Sequence, residues 1–149
     1  MDTGRHVVID AWTQQAHIIN DAELVGDLLN ELVELVGMQI LRPAEIVAVP
    51  LDPSVTSGED DGGVTGTVIL TTSHASVHTW PLRGHVSFDL FSCKDFSVKQ
   101  VVDFLVEKLE LTGGQIRSFQ RSHALADQES WRLLGGEESS LTLTQSMSQ

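Results

Sequence analysis

Between His85 and Phe91 the chain alternates strictly: Val86, Phe88 and Leu90 are separated by His85, Ser87 and Asp89. A period of two puts successive side chains on opposite faces, so this segment suits only a strand with one buried face and one wet face. Two more β-type segments, 64–72 and 74–80, precede it with short breaks between them, the pattern of an antiparallel meander. A further strand is expected at His6–Trp12, where Val7, Val8 and Ile9 are β-prone. Another is expected over Met38–Pro50, interrupted near Pro43.

Two segments carry helical periodicity instead. Val25, Leu28, Leu29, Leu32, Val33 and Val36 recur at helical spacing behind Asn20-Asp21-Ala22-Glu23, which reads as a capping box with Asn20 as the cap. Val98, Val101, Val102, Leu105, Val106 and Leu109 form a second stripe behind Ser97-Val98-Lys99-Gln100, a second capping box. Gly37 is the expected stop of the first helix, and Gly113-Gly114 of the second. A last strand is expected over Gln115–Gln120. Two amphipathic helices laid on one face of an antiparallel-rich sheet make an α+β, two-layer sandwich. Residues 1–134 read as one domain, and the Glu-, Ser-, Thr- and Gln-rich stretch 135–149 as a flexible polar tail.

Composition narrows the function. The formal net charge of −12 argues against nucleic acid or an anionic membrane surface as partner. It allows a cationic small molecule, although acidic solubility is the commoner reason for such a charge. A single cysteine, Cys93, cannot form an intramolecular disulfide. No apolar leader or ~20-residue apolar run is present, so a cytoplasmic protein is expected.

The chemistry-bearing residues cluster in Thr71-Thr72-Ser73-His74-Ala75-Ser76-Val77-His78-Thr79-Trp80-Pro81 and at Cys93. A serine hydrolase is disfavoured, because no G-x-S-x-G elbow surrounds a serine. His74, Ser76 and His78 share a strand face at i, i+2 and i+4. The only carboxylate or thiol near them is Asp89 or Cys93, and no metal site is read there. Taken singly, Ser73, His78 and Cys93 are an ordinary turn serine, a strand histidine and a small buried hydrophobe.

Taken together with Gly4-Arg5-His6, Gly63-Val64-Thr65-Gly66, His78-Thr79-Trp80-Pro81 and Asp89-Leu90-Phe91-Ser92-Cys93, they resemble the short prokaryotic form of the pyruvoyl-dependent S-adenosylmethionine decarboxylase proenzymes. The resemblance covers roughly residues 4–110. It implies self-cleavage between Thr72 and Ser73, with Ser73 converted to a covalent pyruvoyl group that takes up the substrate amine as a Schiff base. It assigns general-base work in processing to His78, support of processing to the Thr65 hydroxyl, and proton donation after decarboxylation to Cys93. It also implies a homodimer with sites built across the interface, a small-molecule amine as substrate and a place in polyamine biosynthesis.

Three positions depart from the family pattern. Thr72 stands where glutamate usually precedes the cleavage serine; its side chain is not formally needed for attack on its own carbonyl. Leu82 replaces a glutamate that binds the ribose hydroxyls of the substrate, and leucine accepts no hydrogen bond. Glu59, Asp60 and Asp61 lie where aromatic residues usually stack on adenine. They read either as a solvated loop or as partners for a cationic tail. The departures leave two further readings open: the same mechanism acting on a basic amino acid such as ornithine or arginine, and an unprocessed, non-catalytic homologue.

Overall fold

The computed structural model describes residues 3–50 and 62–122. β1 (Thr3–Thr13) leads through one helical turn, α1 (Ala16–Ile19), into α2 (Ala22–Leu35). There follow β2 (Ile40–Val49), β3 (Gly63–Leu70), β4 (Ser73–Trp80), a 3-10 turn (Pro81–Arg83) and β5 (His85–Ser92). The described chain ends with α3 (Val98–Leu109) and β6 (Leu111–Ser122). The strands form one six-stranded sheet in the order β2-β3-β4-β5-β1-β6, and every neighbouring pair is antiparallel. This is the α+β arrangement the periodicities require.

The registers explain why one face is dry. Val7, Ile9 and Ala11 of β1 sit opposite Leu90, Phe88 and Val86 of β5. The same three β5 residues meet Ala75, Val77 and Thr79 of β4. All nine are buried, and all but Thr79 join Val25, Leu28, Leu29, Leu32 and Val33 of α2 and Val101, Leu105 and Leu109 of α3 in one core. Burial of each large aliphatic side chain contributes about 1.5–3 kcal/mol. No helix among the described residues is long and apolar enough to cross a membrane.

Several local expectations shift. The cap of α2 is Asp21, which accepts from the backbone N–H groups of Glu23 and Leu24, because Asn20 already closes α1 with its own N–H bonded to Ala16. Ser97 caps α3 as expected, accepting from Gln100 N. That helix ends at Glu110, held at a left-handed φ of 48°, and not at the glycines. Gly113 and Gly114 instead lie inside β6, which starts at Leu111 and runs past Gln120. A Cβ on Gly114 would come within 2.7 Å of the Asp10 carbonyl, so close strand approach explains that glycine. β2 is one strand, with one register shift between Ile40 and Arg42 and another between Arg42 and Glu45, across Pro43, where the imide cannot donate. The first strand also extends beyond His6–Trp12, because Gly4, Arg5 and Thr13 keep pairing. The acidic stretch Glu59–Asp61, the 134/135 boundary and the tail lie outside the described residues.

Thr79, in the middle of the buried row, donates its hydroxyl to the Ile19 carbonyl at 2.7 Å and accepts from Val64 N at 2.9 Å. It ties α1 to the sheet while satisfying two buried backbone groups. Thr79→Val keeps the shape and orphans both groups. It is expected to destabilise the chain by about 1–3 kcal/mol for each orphaned group, read as a lower urea midpoint with an unchanged slope.

Candidate active site

The face turned away from the helices carries the remaining chemistry in rows. One row runs His6, Phe91, His74, Ile69 across β1, β5, β4 and β3; the next runs Val8, Asp89, Ser76, Thr67; a third runs Asp10, Ser87, His78, Thr65. A fourth brings together Trp12, His85 and Trp80. Among the described residues no helix covers this face, because both long helices pack on the other.

At one end, a two-residue turn, Thr71-Thr72, joins β3 to β4, with Leu70 paired to Ser73. Thr72 takes a left-handed φ of 63°. For a β-branched residue this backbone is strained, by about 1–2 kcal/mol. Cys93 follows β5 immediately and reaches the same turn. Its N–H donates to Ser73 Oγ at 3.2 Å, and Ser73 Oγ donates towards Cys93 Sγ at 3.8 Å. The Thr72 hydroxyl lies 2.9 Å from Cys93 Sγ and 2.6 Å from the Thr71 carbonyl oxygen. Its hydrogen bond to the sulfur, followed by that of Ser73, pulls the Cys93 thiol below the ordinary cysteine range against the smaller opposing effect of burial. Thr72, expected to matter only through its carbonyl, therefore also touches the thiol with its side chain.

The other end holds the second group of expected site residues. Thr65 and His78 are cross-strand partners, and Thr65 Oγ1 lies 3.2 Å from His78 Nδ1. With Val49, Gly62, Thr79 and Trp80 they line a cavity of about 150 Å³. Leu82 sits just beyond, on the 3-10 turn, with 70% of its surface exposed. Gly63 opens β3 at φ 126°, and a Cβ there would lie 2.0 Å from the Thr79 carbonyl oxygen; only glycine lets β3 start against the end of β4.

The chain thus brings Ser73 to Cys93 and Thr72, and His78 to Thr65, but it does not bring the two groups together. Ser73 and His78 share one strand and are five residues apart, about 17 Å at 3.3–3.4 Å per residue.

Between the two ends lie His74 and Ser76, aligned by strand spacing and close to Asp89, together with His6, which that spacing did not single out. Asp89 Oδ2 is 3.0 Å from His6 Nε2 and 3.1 Å from His74 Nε2, while Ser76 Oγ donates to Asp89 Oδ1. Burial by itself would raise the Asp89 pKa; the hydrogen bonds from Ser76, His6 and His74 outweigh it and hold the carboxyl below its ordinary value. The signal for this cluster was Asp89 on the polar side of the β5 alternation, but its partners arrive from other strands. Ser87 Oγ also donates to Asp10 Oδ1 at 2.7 Å, beside His85.

Residues 5–122 match the S-adenosylmethionine decarboxylase family. A proenzyme so named from Brevibacillus brevis is 33% identical over 108 residues, covering 72% of this chain and 73% of its own. One from Archaeoglobus fulgidus is 32% identical over 111 residues, covering 74% and 89%. The crystal structure of the adenosylmethionine decarboxylase from Aquifex aeolicus superposes with a TM-score of 0.64 at 23% identity, over 88% of this chain and 98% of that one, a likeness of fold. With the family match running from the start of β1 to the end of β6, across both ends of the sheet, this chain belongs to the S-adenosylmethionine decarboxylase family.

Proposed function

We propose that this chain is a self-processing, pyruvoyl-dependent decarboxylase of S-adenosylmethionine, serving polyamine biosynthesis. The observation that carries the reading is the strained Thr72 placed directly before a Ser73 whose hydroxyl is hydrogen-bonded to Cys93. Ser73 Oγ attacks the Thr72 carbonyl carbon and the peptide bond shifts to an ester. A base takes the Ser73 α-proton, and the Thr72 carboxylate departs by β-elimination. Hydrolysis of the resulting dehydroalanine releases ammonia and leaves a pyruvoyl group at position 73.

The residues present fit that group, since it is made from Ser73 itself and Cys93 already lies against the side chain that becomes it. When formed, it supplies an electrophilic ketone that accepts the electron pair of the broken carbon–carbon bond. Cys93 holds a proton beside that position and returns it to the substrate carbon that has lost carbon dioxide.

The separation of the two ends supports a homodimer. His78 with Thr65 cannot reach Ser73 along one strand, so we assign them to the Ser73 of a second copy laid on the open face. There they serve as base and as its hydrogen-bonding support. The row pattern suits this, since the uncovered face offers Trp12, Ile69 and Phe119 as exposed apolar area between its polar groups.

Leu82, exposed and unable to accept a hydrogen bond from a ribose, favours one second reading, a basic amino acid as substrate. Carbon dioxide release from S-adenosylmethionine, ornithine and arginine decides between them. Turnover of S-adenosylmethionine is expected, and turnover of ornithine or arginine alone would overturn that assignment.

Cleavage is expected to yield fragments of 72 and 77 residues by denaturing mass measurement, the second with a blocked N-terminus. Ser73→Ala and His78→Ala chains should each remain whole when made alone. Produced together, the His78→Ala chain should be cleaved, because the Ser73→Ala copy lends it His78. A mixture that stays whole would confine His78 to its own chain and remove the shared site. In a Ser73→Ala chain, which keeps Thr72 in place, adding Thr72→Ala deletes the main cause of the lowered thiol pKa. The pH profile of Cys93 alkylation by iodoacetamide should then move to higher pH; an unmoved profile would deny Thr72 its influence on the thiol.

A further inference from the structure

We propose that His6, His74 and Asp89 form a binding site for one divalent transition-metal ion of the zinc class, independent of the cleavage chemistry. The three residues come from β1, β4 and β5, adjacent strands whose registers set His6 and His74 on either side of Phe91, two residues from Asp89. One donor atom from each lies within 4.8 Å of the other two. Both imidazole Nε2 atoms converge on the same carboxylate oxygen, at 3.0 and 3.1 Å. Ligand atoms bound to one ion at about 2.0–2.2 Å stand roughly 3 Å apart, so the spacing needs little adjustment to admit a metal.

The surroundings are those of a built site. Ser76 holds the second Asp89 oxygen, leaving Oδ2 to face the histidines, the kind of outer support that orients a ligating carboxylate. Phe91 packs against both imidazoles, with ring centroids 5.8 Å from His6 and 6.0 Å from His74, and Phe119 flanks His6 at 5.2 Å. The aromatic walls restrict the rings to the observed orientation. The His74 side chain is 43% exposed and Asp89 26%, so the ion has an entry path and room for water in its remaining positions. Two nitrogens and one carboxylate select zinc and its first-row neighbours over magnesium or calcium, which take oxygen. On binding, the ion replaces the hydrogens shared between the imidazoles and Asp89. It then pins three strands together one residue from Ser73.

The test uses the full-length chain made without a polyhistidine tag, stripped with chelator and titrated with Zn²⁺ against a chromophoric competitor. About one equivalent per chain should be retained after gel filtration. His6→Gln and Asp89→Asn should each weaken retention by about tenfold or more, and Ser76→Ala, which keeps all three ligands, by about tenfold. His17→Gln, on exposed α1 and outside the cluster, should change nothing, and excess Mg²⁺ should not displace the zinc. If Asp89→Asn fails to fold by circular dichroism, His74→Gln, at the most exposed ligand, takes its place. The proposal falls if no equivalent is retained, if the ligand variants bind as the parent does, or if Cys93→Ser alone abolishes retention. The readout is binding, so it stands or falls whether or not the 72–73 bond is cut.

Discussion

Pleating governs this molecule. Each strand has two faces, and both amphipathic helices are committed to one of them. Residues of the sheet are thereby sorted by parity: Val7, Ile9, Val77, Phe88 and Leu90 into the core, and His6, Asp10, Ser76, His78 and Asp89 onto a face that no helix of the described residues covers. A one-residue slip between β4 and β5 would bury Asp89 and expose Phe88, a cost no local compensation could meet. Core packing and the layout of reactive groups are therefore fixed by the same registers.

The same extended geometry separates groups that look adjacent in sequence. Ser73 and His78 are five residues apart, a short step in the chain but most of the length of β4. On a helix the same interval would advance only about 7.5 Å. Cys93, twenty residues from Ser73, is brought into contact because β5 returns antiparallel to β4. Sequence distance and spatial distance run opposite ways here, and that inversion gives the sheet two chemically different ends.

What could be read in the residues follows from range. Alternation on β5, the stripes of α2 and α3 and the Ser97 cap are local patterns, each complete within a dozen residues, and they stand where expected. The α2 cap moved by one residue because α1, a single turn with no periodicity to betray it, consumed Asn20. Gly114 is not a helix breaker: its reason is the backbone of β1, about a hundred residues away in sequence, which no local pattern carries. His6 and Asp89 are 83 residues apart and meet only through strand order, which no periodicity encodes. The Thr65–His78 contact was approachable from the hairpin, since both sit on strands joined by the Thr71-Thr72 turn.

Thr72 has one more consequence. Its left-handed backbone is imposed by the two-residue turn between paired strands, and an unfolded chain has no reason to populate it. Under the self-processing proposed above, the bond would be labile only in copies whose hairpin has closed in register and whose β5 has delivered Cys93. Maturation would then act as an inspection. A misfolded copy would keep an ordinary peptide bond and never acquire a reactive carbonyl, and a correctly folded one would record its success irreversibly in its own covalent structure.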